Sequence, residues 1–308
     1  MDERQFIEKL NESISQNKIY KYLYNNENRF FRAKVFFKII NSLSNLLKYF
    51  DFKNDIVFED KIPFIKIENI KLMICNHYYL KHVGEKIKSN FSHTEKFLEH
   101  LNISPIYIID IGACWGECSI HLSSKYKDAK IFSIEGSYKN YHVFLKNLQH
   151  NPDFNSNINP NHLIISDSDG YAEISNDLST MNIVRNNNNL PSKIKSNSYT
   201  TVKSQSLSTF IKNNNIPFID FIKIDIEGSE LKLIDDLLNS DIKSIQIEII
   251  NYNSIEENIN FLLNLNKRYE FHHPISWKIL NFDQIKIMVE KHLNHNPTID
   301  IFLSKNNK

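Results

Sequence analysis

Glycine and cysteine are both scarce in this sequence, which has six glycines and three cysteines among its 308 residues. Three cysteines cannot form the set of bridges that holds a small secreted domain together, so the sequence excludes a disulfide scaffold. Free thiols are typical of a reducing compartment, and we therefore expect a cytoplasmic protein. A hydrophobic content of 41% is high enough for a large buried core and excludes a chain that is disordered throughout.

Long apolar runs and an excess of one charge are also missing. Residues 1–13 are charged and lack the apolar core of a secretory signal peptide. The most apolar early stretch, 35–50, is too short and too polar to span a bilayer. The formal net charge of +1 provides no electrostatic argument for nucleic acid as a partner. We therefore predict no transmembrane segment and no nucleic-acid partner.

Two of the cysteines lie in the glycine-containing stretch IYIIDIGACWGECSIHLSSKY. Cys114 and Cys118 are four residues apart, which is not the spacing of a zinc or redox pair, and no fourth metal ligand stands out nearby. We therefore expect free thiols and no metal. The pattern is instead typical of a buried strand with Asp110 at its end, a loop with Gly112 and Gly116, and a helix. Such a loop presents backbone N–H groups and a helix N-terminus to a ligand.

A second strand and turn follow in AKIFSIEGSYKNY. The strand ends at Glu135, 23 residues after Gly112, and Gly136 begins the turn. An acidic residue at this offset holds the ribose in nucleotide-binding sheets, because a carboxylate accepts two hydrogen bonds at once. The spacing predicts a nucleoside-type ligand, and an exposed charge at a strand end is the plainer alternative.

Three further apolar runs end in polar or acidic residues. HLIISDSDG ends with Ser166 and Asp167, FIDFIKIDIEG contains Asp225 and Glu227, and KSIQIEIIN contains Glu248. Ligands bind at the carboxyl ends of strands in open parallel sheets, so we expect these groups at one edge. Five of the six glycines fall at the same turns, at positions 112, 116, 136, 170 and 228. The pattern predicts an α/β fold with five parallel strands, closed by an antiparallel pair near the C-terminus.

The blocks IIDIGACWGECS, IFSIEGSYKNY, ISDSDGYAEI, FIKIDIEGSELKLI and SIQIEI resemble, in this order and spacing, the FkbM family of S-adenosylmethionine-dependent methyltransferases. The block KIDIEGSE is the most specific part of the resemblance. It implies a class I, Rossmann-like fold with a mostly parallel seven-stranded sheet and helices on both faces. Outside the resemblance, the sequence pattern predicts an N-terminal extension of helices and a β-hairpin. The resemblance also implies S-adenosylmethionine as the cofactor.

The resemblance assigns roles to individual residues. The loop after the first strand would wrap the methionine portion of the cofactor, with Asp110 near its amino group. Glu135 would hold the ribose, and Ser166 and Asp167 would lie by the adenine. The predicted cofactor-binding residues are Asp110, Gly112, Ala113, Cys114, Trp115, Gly116, Glu135, Gly136, Ser137, Ser166, Asp167 and Asp225.

The same resemblance places Asp225 and Glu227 near the transferred methyl group and the acceptor. An alcohol acceptor benefits from a base that removes its proton as it attacks, and Asp225, Glu227 and Glu248 are the candidates. The family likeness favours O-methylation of a hydroxyl on a sugar, a glycan or a secondary metabolite. Two positions depart from the family pattern: Cys114 replaces the usual Asn, and Ser208 stands where an Asp is common.

Three alternatives remain open. A nicotinamide-dependent oxidoreductase would share the first two strand–helix units, but Cys114 occupies the middle position of the required Gly-x-Gly-x-x-Gly. An RNA methyltransferase is disfavoured by the neutral charge. A catalytically degenerate methyltransferase fold used only for binding is the alternative outside the enzymes.

Two regions are predicted. Residues 1–95 form an accessory region of helices followed by short strands, and residues 96–308 form the S-adenosylmethionine-binding domain. The aromatic and aliphatic stripe in the predicted helices of 8–50 predicts packing against the core or against a second copy of the chain in a homodimer. An acceptor-binding cap and a peripheral membrane contact are its alternatives.

Overall fold

The computed structural model describes residues 56–59, 62–67, 69–73, 88–175, 184–185 and 199–306. Seven α-helices lie in these ranges: α1 Lys88–His100, α2 Glu117–Lys125, α3 Tyr138–Gln149, α4 Leu207–Asn213, α5 Ile234–Asn239, α6 Ile255–Leu265 and α7 Phe282–Leu293. The strands are β1 Ile56–Glu59, β2 Ile62–Ile67, β3 Ile70–Met73, β4 Tyr107–Ile111, β5 Lys130–Ile134, β6 Ile158–Asn161, β7 Ile164–Ile165, β8 Gly170–Ser175, β9 Val184–Arg185, β10 Tyr199–Gln205, β11 Ile219–Ile224, β12 Ile242–Ile250, β13 Tyr269–His272, β14 Ile279–Leu280 and β15 Thr298–Lys305.

The central sheet has eight strands in the order β14-β13-β15-β12-β11-β4-β5-β6. The five strands from β12 to β6 are parallel. β15 runs antiparallel to β12, and β13 and β14 continue the antiparallel pairing to the edge. This arrangement confirms the predicted class I methyltransferase-type sheet, in which a closing antiparallel pair follows five parallel strands. The two-residue strand β14 is the addition to the seven strands that were predicted.

Helices cover both faces of this sheet. Successive residues of a strand point to opposite faces, and in β4 Ile108 packs into one apolar cluster while Ile109 packs into the other. The first cluster includes Val143 from α3, and the second includes Leu262 from α6. Near-continuous apolar strands are the expected sequence of a parallel sheet buried on both sides.

The third parallel strand differs from the prediction. The sheet uses β6, with sequence INPN, whereas the apolar run that begins at His162 was expected there. Pro160 cannot donate a ladder hydrogen bond, but β6 is an edge strand, where proline is tolerated. The expected run forms β7 instead, which pairs with β10 in a separate four-stranded sheet of order β7-β10-β8-β9.

The N-terminal strands β1 to β3 form an antiparallel sheet that docks on α3. The backbone N–H of Met73 donates to Asn147 Oδ1 at 2.8 Å. Asn151 accepts from the N–H of Lys71 at 2.8 Å and donates to its carbonyl at 2.6 Å. The side chains of Asn147 in α3 and of Asn151, two residues after the end of that helix, therefore satisfy backbone groups of strand β3. Helix α1 crosses the predicted boundary between residues 95 and 96.

The apolar stretch 35–50 lies outside the described residues. Within the described ranges, no helix has both the length and the apolar character needed to cross a membrane. The predicted roles of residues 1–95, as a cap, a homodimer contact or an acceptor site, stay predictions.

Candidate functional site

The glycine loop between β4 and α2 is held against the second strand. Gly112 and Gly116 have φ values of 82° and 80°, a left-handed conformation that glycine adopts without steric cost. The backbone N–H groups of Gly112 and Ala113 both donate to the carbonyl of Ile134 at 2.9 Å. The two glycines thus fold the chain into the tight turn that leads into α2.

Two loop residues that were predicted to bind the cofactor have their side chains in the core. Ala113 and Trp115 are both buried, and Trp115 Nε1 donates to Asn140 Oδ1 at 2.9 Å. The carbonyl of Trp115 accepts from Asn147 Nδ2 at 2.8 Å. These two residues fix the loop by packing, so the part they can offer to a ligand is their backbone.

Glu135 joins the glycine loop, between β4 and α2, to the second loop, between β5 and α3. Its Oε2 accepts from the N–H of Cys114 at 2.8 Å, and its Oε1 accepts from the N–H of Ser137 at 2.6 Å. Burial raises the pKa of Glu135 to about 8, while these two amides favour the charged form. A carboxylate has about four lone-pair positions, so two acceptor positions remain for a ligand. Sequence spacing indicated the ribose role, and the structure adds a bridge between two loops.

Asp110 is fully buried at the end of β4. Its Oδ2 accepts from Ser119 Oγ at 2.6 Å, and that hydroxyl lies 2.7 Å from Ser133 Oγ. Its Oδ1 has no hydrogen-bond partner. Burial raises the pKa of Asp110, and the nearby Lys223 opposes this shift.

Lys223 of β11 lies beside Asp110 in the parallel register and forms an ion pair with Asp225. The distance between Lys223 Nζ and Asp225 Oδ2 is 2.9 Å. Burial lowers the pKa of this lysine, but Asp225 and Asp110 outweigh burial, and the pKa is raised well above its ordinary value. Lys223 is therefore an ammonium ion that neutralises part of the acidic charge at the sheet edge.

The three predicted catalytic carboxylates meet at the carboxyl ends of β11 and β12. Asp225, Glu227 and Glu248 have one carboxylate oxygen each within 4.8 Å of the others. Glu248 is buried, while the other two are partly exposed. Glu227 has a φ of 53°, in the left-handed region. Carboxylates this close favour the binding of a proton or a cation, because like charges repel.

Glu230 closes the loop that carries Glu227. Its Oε1 accepts from the N–H groups of Ile226 and Gly228, at 3.0 and 3.2 Å. Burial raises the pKa of Glu230 to about 7.

The loop between β7 and β8, which contains Ser166 and Asp167, makes its own contacts. Ser166 Oγ lies 2.6 Å from Ser204 Oγ, and Asp167 is exposed and accepts from Ser168 Oγ at 3.2 Å. His162 Nε2 lies 3.0 Å from the carbonyl of Gly136, which joins this segment to the second loop. The adenine role of Ser166 and Asp167 stays a prediction.

The cysteines of the first loop are free thiols. Cys118 is buried, and burial raises its pKa well above the ordinary value, with Asp110 adding to the shift. A thiol that resists ionisation is a poor nucleophile and a poor metal ligand. This environment supports the interpretation of Cys118 as a small apolar residue.

A family model described as the methyltransferase FkbM domain matches residues 110–304. The chain belongs to this family. A search of curated protein sequences finds no relative. Among solved structures, the chain is similar to a fibrillarin/Nop5p complex, with 12% identity over 82% of this chain and 98% of that chain and a TM-score of 0.41. It is also similar to precorrin-6y C5,15-methyltransferase from Geobacter metallireducens GS-15, with 13% identity, 68% and 87% coverage and a TM-score of 0.38. These structural likenesses are weak, and the assignment rests on the family match.

The FkbM assignment confirms the family predicted from the sequence blocks and, with it, S-adenosylmethionine as the cofactor. The residues of this FkbM domain fit that molecule. Two buried carboxylate oxygens beside the glycine loop, Asp110 Oδ1 and Glu117 Oε2, have no hydrogen-bond partner. They suit a cationic ligand, and the remaining acceptor positions of Glu135 suit hydroxyl groups. The oxidoreductase alternative is set aside, because the FkbM assignment replaces it.

Proposed function

We propose that this FkbM-family protein transfers the methyl group of S-adenosylmethionine to a hydroxyl oxygen of a sugar, a glycan or a secondary metabolite. The observation that carries the proposal is the meeting of Asp225, Glu227 and Glu248 directly beside the glycine loop. A Cβ atom placed on Gly112 would lie 1.8 Å from the carbonyl oxygen of Asp225, so the two loops are in contact.

Different loops at this edge of the sheet would hold different parts of the cofactor. The loop with Gly112 and Gly116 would hold the amino-acid portion of the cofactor, and Glu135 would hold the ribose. When bound, the cofactor supplies an electrophilic methyl group on a sulfonium. The chain then has to hold the acceptor oxygen in line with that methyl group, and positioning of this kind supplies much of the rate.

A carboxylate at the edge would complete the reaction as a general base. The methyl group that the bound cofactor would supply would pass to the acceptor oxygen, with the carbon–sulfur bond broken and its electrons left on sulfur. The hydroxyl proton passes to the carboxylate. The product is a methyl ether, and S-adenosylhomocysteine leaves with no net charge change on the enzyme once the proton reaches water.

Glu227 is the first choice for this base. Asp225 is already paired with Lys223 at 2.9 Å, and Glu248 is 7% exposed, with Asp300 opposite it in the antiparallel register. Glu227 is partly exposed and sits on the loop between β11 and the next helical turn. Its place on a partly exposed loop gives the Glu227 carboxylate access to an entering acceptor, which a general base needs.

We expect this site to work without a metal ion, as the sequence predicts, because Lys223 already supplies a positive charge to Asp225. The check is turnover after dialysis against a chelator, followed by addition of Mg²⁺ or Mn²⁺. Loss of activity that either ion restores would contradict the metal-free mechanism.

The experiment that tests the function has two parts. Calorimetric titration should detect binding of S-adenosylhomocysteine and no binding of NAD. A panel of sugars, glycans and polyketide alcohols is then screened for release of S-adenosylhomocysteine from S-adenosylmethionine. With the acceptor found, Glu227→Gln should lower turnover by roughly 10²–10⁴ and leave affinity for S-adenosylhomocysteine unchanged.

Glu256→Gln is the matched control, because Glu256 is an exposed residue of α6. If Glu227→Gln and this control turn over equally, the base assignment is wrong. Binding of the cofactor without turnover on any acceptor would favour the degenerate, binding-only alternative.

A further inference from the structure

Glu117 is the first residue of α2 and follows Gly116, whose φ of 80° turns the chain into the helix. Its carboxylate folds back over the loop and accepts from the backbone amides of Trp115 and of Glu117 itself. The other oxygen, Oε2, is buried and has no hydrogen-bond partner. A carboxylate at a helix start ordinarily points into solvent, so this placement needs an explanation.

A second unpaired oxygen belongs to the same neighbourhood. Asp110 Oδ1 is buried without a partner, while Oδ2 is occupied by Ser119. Burial raises the pKa of Glu117 to about 7. The charge of Asp110 adds to this rise, while Lys223 and the two backbone hydrogen bonds oppose it. Leaving a buried charged acceptor unpaired costs free energy. Two such atoms in one place weaken the fold unless a ligand pairs with them.

The protein's own cation does not pair with these atoms. Lys223 donates at 2.9 Å to Asp225. The groups that act on one another here include four carboxyl groups, those of Asp110, Glu117, Glu135 and Asp225, and one ammonium, that of Lys223. Acidic groups therefore outnumber the ammonium, and a cation with N–H donors is the partner that suits the two unpaired oxygens.

We propose that Glu117 is a ligand-binding residue that, together with Asp110, receives the ammonium group of the amino-acid portion of S-adenosylmethionine. The inference rests on the proposed function, because that function supplies a ligand with a primary ammonium next to the glycine loop. An ammonium has three donors, which is enough to reach both unpaired oxygens. Glu117 thereby makes the site selective for nucleosides that carry an amino-acid group.

The test compares two ligands and three proteins by calorimetric titration. The ligands are S-adenosylhomocysteine and its des-amino analogue, in which hydrogen replaces the amino group. The proteins are the parent, Glu117→Gln and the control Glu256→Gln. We expect Glu117→Gln to weaken S-adenosylhomocysteine about ten- to a hundredfold and to leave affinity for the des-amino analogue unchanged. The control should match the parent with both ligands.

Glu117→Ala is the second variant, because a glutamine amide could itself donate to Asp110 and change the folded state. Alanine removes the carboxylate, has a high helix propensity and introduces no donor. It should show the same selective loss. Thermal unfolding of each variant establishes that the protein is folded before titration.

Each outcome decides the proposal. An equal loss with both ligands would assign Glu117 a structural role and overturn the inference, as would no loss with either. If the folded parent binds neither ligand, the proposed function itself fails. If the folded parent binds S-adenosylhomocysteine and the Glu117 variants show no loss specific to that ligand, the inference alone fails.

Discussion

Gly112 lies directly against the backbone of Asp225. A Cβ atom at Gly112 would be 1.8 Å from the Asp225 carbonyl oxygen and 2.8 Å from its carbonyl carbon. The N–H of Asp225 also donates to the carbonyl of Ile111 at 3.0 Å. The loop that would hold the cofactor and the loop that carries the candidate catalytic residues Asp225 and Glu227 are therefore set in place by backbone contact.

Gly112→Ala should separate these two loops and destabilise the protein. The methyl group meets a backbone carbonyl rather than a flexible side chain, so several kcal/mol of stability should be lost or the loops should shift. Denaturant unfolding and titration with S-adenosylhomocysteine measure both effects. The control is Gly170→Ala, since Gly170 also has a positive φ, of 146°, but a Cβ there meets nothing within 4 Å. Equal losses in both variants would mean that backbone conformation, and not the contact with Asp225, is responsible.

Glu135→Gln should weaken both the fold and cofactor binding. Glu135 accepts from Cys114 on one side and Ser137 on the other, and a glutamine amide replaces one of these acceptors with a donor. An unsatisfied buried backbone N–H costs about 1–3 kcal/mol. Urea unfolding without ligand measures the structural part, and calorimetry with S-adenosylhomocysteine measures the binding part. Unchanged values in both experiments would remove Glu135 from the site.

Glu117→Gln should stabilise the ligand-free protein, whereas Glu135→Gln should destabilise it. Burial raises the pKa of Glu117 from 4.5 to about 7, so folding has to suppress its ionisation. An acid with a raised pKa contributes stability that is complete below pH 4.5 and is lost as the pH rises through 7. Glutamine does not ionise and avoids this loss.

The free energy of unfolding of Glu117→Gln should therefore exceed that of the parent at pH 8 by up to about 3 kcal/mol, and the excess should disappear near pH 4.5. Urea unfolding at several pH values measures the difference, with Glu256→Gln as the control. A constant difference across this range would show that Glu117 does not titrate as its burial requires. A variant that is more stable yet binds more weakly would mark Glu117 as a residue kept for function.

The buried parallel strands could be predicted because they have a strong sequence pattern, while the edge strand of the sheet could not. The apolar runs around Ile109 and Ile222 are buried on both faces, and their residues are continuous in hydrophobicity. Strand β6 contains Pro160 between two asparagines and carries no such pattern. Its place depends on pairing with β5, which is a tertiary contact that local sequence does not encode.

The sequence likewise indicated some residues of the candidate site but not their contacts. The offset of Glu135 from Gly112 indicated its place at the second loop, but its bridge to Cys114 depends on how the two loops pack. Glu117 was missed, because a glutamate in the first turn of a helix is an ordinary, favourable residue. Its distinguishing feature is that it folds back over the glycine loop, and this follows from the left-handed turn at Gly116.

Cys114→Asn should keep or improve cofactor affinity and stabilise the loop. Cys114 has a φ of 51°, in the left-handed region, where asparagine is favoured over most other residues. The family resemblance implies asparagine here, and the backbone N–H that donates to Glu135 is unchanged by the substitution. Thermal unfolding and titration with S-adenosylhomocysteine are the measurements, and a gain of about 0.5–1 kcal/mol in stability is expected.

Two variants at the same position separate backbone conformation from thiol chemistry. Cys114→Val should destabilise the protein, because a β-branched residue strongly disfavours a positive φ. Cys114→Ser removes the thiol with little change in side-chain volume and should behave like the parent. If serine is as damaging as valine, the sulfur itself contacts the ligand, and the conformational explanation is wrong. If asparagine and valine both bind normally, the loop tolerates any residue here, and the φ of Cys114 has no part in shaping the site.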